Sequence, residues 1–256
     1  MKNLKTLISI LFSVLLTANV NAAEKWDMAL AYGASNFHSA NAAEFAKNVS
    51  EKSGGKLTIV THPGGSLFKG GEIFRAVRTG QAQMGERFMS ALGKVDPILE
   101  IDSQPFLATS YDDAMKLYQA SKPAIIDSLN QKGLVFLYAV PWPAQGLYSK
   151  KEINSVEDLK GLKMRFFGLG AKVMEKVGVS TQLLAGGDIY PALELGTIDA
   201  AEFSMPAIDL ELGFYQIAKH YYFPGWHQQS TFLEFMVNLD KWNSLSNTQK
   251  VQIETV

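Results

Sequence analysis

The sequence predicts an α/β protein of two lobes with a ligand cleft between them. Strand-like and helix-like segments alternate from the first residues after an apolar leader, which argues for a parallel sheet with helical crossovers. A second alternating series starts after about residue 140. Short turns join the segments without any long linker, so two such lobes would meet at hinges and close as rigid bodies. A cleft between lobes is a natural home for a small ligand.

The elements follow in order. "KWDMALAYG" (25–33) reads as a strand ending in a glycine turn, and "SANAAEFAKNVSEKSGG" as a helix. Its cap is Ser39 or Asn41, Phe45 and Val49 share one face, and Gly54-Gly55 form the stop. "KLTIVTH" is a second strand, "PGGSLFKGG" a turn-rich passage, Glu72 to Thr79 a helix and "QAQMG" a third short strand. A helix over Tyr111 to Gln131 is expected to split or kink at Pro123. "GLVFLYAV" is an apolar strand, and the prolines of "PWPAQGLYS" predict irregular chain after it.

The second series opens with one helical turn in "SVEDLKG", where Ser155 and Asp158 have a capping-box spacing. Then come strand "LKMRF", helix "KVMEKVG", strand "STQLL", helix "IYPALELG" and strand "TIDAAEF". "FLEFMVN" (232–238) is a later strand, and "DKWNSLSNTQKVQIETV" begins a helix. The expected limits are a leader over 1–23, one lobe over 24–140 with 230–256 returning to it, and a second lobe over 141–229.

Composition bounds the function. The 256 residues are 47% hydrophobic and 19% charged, enough for one large core or two smaller ones. A formal net charge of -1 and the absence of a basic block argue against a nucleic-acid partner. Lys2 and Lys5, the apolar run Leu7 to Leu16 and the small-residue exit before "AEKW" describe a secretory signal peptide. Cleavage before Ala23 or Glu24 would leave a free mature chain with no stable membrane insertion. Cysteine is absent, which removes thiol chemistry and a lipid attachment point.

The candidate site centres on "DLKGLKMRFFGLG" (158–170). Arg165 at a strand end inside a cleft offers two parallel N–H donors to a carboxylate. Spacing alone favours the other reading, an edge charge paired with a nearby Asp or Glu. Gln145 lies beyond the "VFLYAV" strand and Glu202 ends the strand before Phe203. Glu202 is either the arginine's salt-bridge partner or, with Gln145, a source of hard oxygen ligands for a cation. Trp142, Phe166, Phe203 and Trp226 stand at strand exits, where most aromatics pack and one or two can wall a ligand. His38, His62, His220 and His227 have no zinc spacing, and no nucleophile elbow, P-loop or dinucleotide fingerprint is present.

"SGGKLTI", "AVRTGQAQMG", "DSQPFL", "INSVEDLKGLKMR" and "DIYPALELGTIDAAEF" occur in this order along the chain. In these motifs the chain resembles the solute-binding subunit of tripartite ATP-independent periplasmic (TRAP) transporters. The resemblance implies a two-lobed periplasmic binding protein, not an enzyme, that delivers an organic acid to TRAP permease subunits. It makes Arg165 the carboxylate clamp. "GLG", "AEF" and "KHYYFPGWH" resemble the branch that binds 2-oxo and 2-hydroxy acids, with C4-dicarboxylates or sugar acids as the alternative. In that branch residues matching Gln145, Glu202 and the Phe203 carbonyl hold a sodium or calcium ion against the ligand carboxylate. No cofactor is required for chemistry.

Two features depart from the pattern. The branch usually has tryptophan where Phe203 stands, and "ERFMSALGKVDPILEIDSQPFL" resembles members with other preferences. Family members also continue for several dozen residues, so the sequence resembles one shortened at its C-terminus. Without a swapped C-terminal helix, a monomer is expected. The rival readings are a periplasmic enzyme on a small acid, which would need a general acid/base pair near Arg165, and a subunit that senses the acid for a receptor.

Overall fold

The computed structural model describes residues 23–256. The expected signal peptide therefore lies, but for its last residue, outside the described residues. Two five-stranded sheets form the molecule, giving an α/β fold of two sheet-containing lobes. The first is built from β1 (Glu24–Ala29), β2 (Leu57–His62), β3 (Met84–Arg87), β4 (Leu134–Pro143) and β10 (Ser230–Asn238), in the order β2-β1-β3-β10-β4. The second contains β5 (Leu147–Ser149), β6 (Lys163–Arg165), β7 (Ser180–Gln182), β8 (Ala200–Glu202) and β9 (His220–Tyr222), in the order β7-β6-β8-β5-β9. Each is mixed. β1 runs parallel to β2 and β3, and β6 to β7 and β8, while β10, β5 and β9 pair antiparallel.

Helices α1 (Phe37–Lys52), α2 (Ile73–Arg78) and α3 (Tyr111–Asn130) cover the first sheet. The second series carries α4 (Gly168–Lys176), α5 (Gly186–Glu194) and α6 (Pro206–Glu211), and α7 (Leu239–Ser244) and α8 (Asn247–Glu254) follow β10. In α1 the buried residues Ala42, Phe45, Ala46 and Val49 recur at helical spacing and face β2. Burying side chains such as Phe45 and Val49 contributes roughly 1.5–3 kcal/mol each. Every residue of β10 is buried, since it lies between β3 and β4.

Several elements differ from expectation. Asn36 caps α1, accepting from the His38 amide, instead of Ser39 or Asn41. Gly54 and Gly55, both at positive φ, follow its end. Helix α3 is a single element with Pro123 inside it. Strand β4 runs through Pro141 and Pro143, because as the edge strand it needs a ladder only toward β10. "LYS" then forms β5, between β8 and β9. The tail makes two helices instead of one, since Ser246 and Gln249 form a capping box that restarts the chain as α8.

The chain passes from the first sheet to the second through 144–146 and returns through 223–229. These two crossing segments touch, with the Gly225 N–H donating to the Gln145 carbonyl at 2.6 Å. No helix among the described residues is long and apolar enough to cross a membrane.

Candidate ligand-binding site

In open α/β sheets, ligands collect outside the carboxyl ends of the strands. Here β3 ends at Arg87 and β6 at Arg165, one from each sheet. Both arginines line a chamber of about 260 Å3, with Tyr32, Lys69, Gln145 and Phe203 also on its wall. A larger space of about 430 Å3 shares Tyr32, Lys69 and Phe203 with it and opens further along the cleft.

Arg165 is buried and anchored from the protein side. Its Nε donates to the Leu184 carbonyl at 3.1 Å. Its Nη1 donates to the Glu202 carbonyl at 2.7 Å and to Glu202 Oε1 at 2.6 Å. Its Nη2 makes no hydrogen bond among the described residues. The guanidinium also lies 5.2 Å from the centre of the Phe203 ring. Arg165 therefore has a carboxylate partner and still lines the chamber.

Glu202 is fully buried and does not line the chamber. Burial pushes its carboxyl up, but Arg165 and then His227 outweigh that and hold it below the usual carboxylate range. Its Oε2 has no hydrogen-bond partner among the described residues and lies 3.7 Å from His227 Nε2. The same nitrogen is 3.0 Å from Gln145 Oε1. An amide oxygen only accepts, so Nε2 carries the proton.

Asp209 belongs to this cluster as well. It is buried with neither carboxylate oxygen bonded to another described side chain, and desolvation, then Glu202, pushes it up to about 8.

The floor is aromatic. Tyr32 approaches Phe203 of the second lobe, at 6.2 Å between ring centres, and Phe88 approaches Phe167 at 5.8 Å. Trp142 is wholly buried behind them, stacked on His38 at 4.1 Å and beside Tyr32 and Phe88, so it does not line the chamber. Phe166 and Trp226 also lie off the wall. They flank His227, with ring centres 4.6 and 5.5 Å from it.

The structure thus brings Arg165, Gln145, Glu202 and Phe203 together and leaves Trp142, Phe166 and Trp226 as packing. Sequence reasoning missed Arg87, Tyr32 and Lys69, and gave His227 no role. Arg87 had a readable signal, because "MGER" ends a strand on arginine just as "KMR" does. Its Nη1 donates to the Gly70 carbonyl at 2.6 Å, while its buried Nε has no partner among the described residues.

A two-lobed α/β chain with an arginine at the cleft-facing strand end of each sheet is the architecture of a solute receptor. The chain belongs to the bacterial extracellular solute-binding protein family 7 (DctP), whose description matches residues 30–256. It is 37% identical over 224 residues to a monocarboxylate 2-oxoacid-binding periplasmic protein of Nostoc sp., covering 86% of this chain and 62% of that protein. This chain spans 54% and 47% of the length of two further curated relatives.

Among solved structures it is similar to a marine-metagenome TRAP solute binding protein specific for pyroglutamate. That match has 39% identity and a TM-score of 0.86, over 91% of this chain and 76% of the other. A TRAP periplasmic solute binding protein from Colwellia psychrerythraea with bound calcium and pyruvate is 33% identical. Its TM-score is 0.77, over 91% of this chain and 73% of that one.

Of the groups expected to hold such a cation, Gln145 and Phe203 line the chamber, and the buried Glu202 keeps one oxygen, Oε2, without a hydrogen-bond partner among the described residues. Gln145 Oε1 already faces the His227 N–H, Glu202 Oε1 is taken by Arg165, and Glu202 is closed off from the chamber. A calcium ion needs six to eight oxygens at about 2.3–2.6 Å.

Proposed function

We propose that this chain is an extracytoplasmic receptor that captures a small monocarboxylic acid and delivers it to the membrane subunits of a TRAP transporter. The favoured ligands are 2-oxo, 2-hydroxy and small cyclic acids. It is exported by its first 23 residues and binds its acid without performing chemistry. The carrying observation is Arg165, pinned by Leu184 and Glu202 with Nη2 left for a ligand at the chamber wall. Pinning removes most of the side-chain entropy that binding would otherwise cost.

The chamber of about 260 Å3 is of a size for a small acid, and the adjoining space of about 430 Å3 leaves room for a larger one. The wall of the chamber supplies an aromatic face from Phe203 and a second guanidinium from Arg87. The relatives that bind 2-oxoacids and pyroglutamate agree with that chemistry.

Arg87 favours one second reading. A guanidinium opposite Arg165 suits an acid whose far end carries an acceptor or a second carboxylate, as in a C4-dicarboxylate.

Calorimetric titration with pyroglutamate, pyruvate, lactate and succinate, on wild type and Arg165→Lys, tests both readings. Lysine keeps a charge for Glu202 but lacks the planar fork, so monocarboxylate affinity should fall roughly 10- to 100-fold. Equal affinity in the two proteins would remove Arg165 as the clamp. Preference for succinate would shift the assignment to dicarboxylates.

A further inference from the structure

Three glycines are not accounted for by backbone or packing. Each described glycine takes a positive φ or would press a β-carbon to within 4 Å of a neighbour, except Gly33, Gly71 and Gly187. The two Gly-Gly pairs show the contrast between adjacent residues. At Gly186 a β-carbon would lie 2.5 Å from Phe203 Cζ, and at Gly70 3.1 Å from Ala31 Cβ. Their neighbours Gly187 and Gly71 face open space. Glycine costs backbone entropy on folding, so its use where a side chain would fit calls for another reason. The three share a location. Gly71 is on the wall of the chamber that holds Arg165, and Gly33 and Gly187 are on the wall of the adjoining space. Gly33 follows β1 of the first sheet and Gly187 lies in α5 of the second series, so room is kept from both sides of the cleft.

The adjoining space of about 430 Å3 has no guanidinium on its wall. Its charged residues Lys69, Asp188 and Glu211 are all exposed, two carboxylates against one ammonium. Its covered wall is apolar. Phe203 and Ile208 are buried there, and Leu212 packs against the main core. A second ligand carboxylate would gain little from one screened ammonium and be repelled by the two acidic groups. An apolar chain would instead displace water from these side chains.

We propose that this space is a subsite for the side chain of the bound acid, and that the acid is a monocarboxylate bearing an uncharged apolar chain. The carboxylate meets Arg165 in the inner chamber. The chain runs past Tyr32 and Phe203, which are common to both spaces, and lies over Ile208 in the room left at Gly33 and Gly187. A three-carbon acid leaves this room to water, whereas each further CH2 buried in it should tighten binding roughly fourfold. The inference rests on the acid-receptor reading, because the carboxylate at Arg165 sets where the chain begins.

The test is calorimetric titration with lactate, 2-hydroxybutyrate, 2-hydroxyhexanoate and 2-hydroxyoctanoate, on wild type, Gly187→Leu and Gly33→Leu. In wild type the affinity should climb roughly fourfold per added CH2 until the space is filled. A leucine side chain at either glycine occupies the same space, so the climb should be lost. In those variants 2-hydroxyoctanoate should weaken relative to lactate by at least roughly tenfold, less than the worth of two buried CH2 groups. A general disturbance of the fold would weaken both acids together.

Affinity that stays flat or falls with chain length in wild type overturns the subsite. A climb that survives in both variants puts the chain elsewhere and overturns it as well. If neither variant folds, the wild-type series decides. Binding of lactate, pyroglutamate or pyruvate with no gain along the series leaves the receptor reading standing without the subsite. Silence from every one of these acids removes both.

Discussion

Glu86, Asp102 and Asp209 are buried carboxyl groups, each with at least one oxygen lacking a hydrogen-bond donor among the described residues. Desolvation raises Glu86 from 4.5 to about 8, opposed by the Ala31 and Tyr32 amides that donate to its Oε1. Asp209 is raised from 3.8 to about 8 and Asp102 from 3.8 to about 6, burial being the first cause in both. Between the unfolded and folded values the native state holds protons that the unfolded chain has released. Stability therefore falls as pH rises through that window.

Glu202 has the opposite sign. Its folded value is depressed, so its contribution is present above the unfolded value and lost as pH falls through the folded one. The urea midpoint should accordingly decline between about pH 5 and 8.5. Glu86→Gln keeps the Oε1 acceptor and removes the proton, so it should flatten the decline by on the order of 1–3 kcal/mol at the alkaline end. Parallel curves for the two proteins would show that Glu86 does not carry the effect. At this scale Arg165 and Glu202 were legible as strand-end charges, whereas their mutual pairing was only one of two readings. His227 was not legible, because its partner lies 82 positions away in the chain.

Among the elements, α4 shows how tertiary contact overrides local preference. Alanine normally stabilises a helix over glycine by about 1 kcal/mol. At Gly170, however, a β-carbon would meet Phe166 Cε1 at 2.6 Å and His227 Cδ2 at 2.8 Å. Gly170→Ala should destabilise by roughly 1–3 kcal/mol, the usual cost of overpacking. Gly187 in α5 has nothing within 4 Å of that position, so Gly187→Ala should be neutral or mildly stabilising. Urea denaturation of the pair reads the contrast, and similar midpoints would argue against the packing explanation.

Strands with β-branched or alternating residues and helices with a repeated apolar face were legible, as in β2 and α1. The short β9 and α6 were not assigned, since three to six residues cannot display a period. The prolines of β4 misled for a different reason. They exclude a central strand but not an edge strand, and edge position is a property of the whole sheet.

For the whole molecule, the chamber belongs to neither sheet alone. Arg87 and Phe88 come from one, Arg165 and Phe203 from the other, and both crossing segments meet beside Gln145. A ligand that bridges the sheets binds the closed native form and not the unfolded chain. An acid at about 100 times its Kd should stabilise by about 2.7 kcal/mol. For a chain of this size that is a rise of roughly 5–10 °C in Tm, read by scanning calorimetry. Arg165→Lys at the same acid concentration should show much less of it, and an equal rise would place binding elsewhere.

The sequence by itself determined the α/β class, the two strand-and-helix series and the arginine that ends β6, because hydrophobic period and turn chemistry are local. Only the tertiary structure decided what lines the chamber. It joined Arg87 to Arg165, withdrew Trp142, Phe166 and Trp226 into packing, and set His227 between Gln145 and Glu202. Those outcomes depend on side chains from different elements competing for the same few ångströms, and that competition has no counterpart in local sequence.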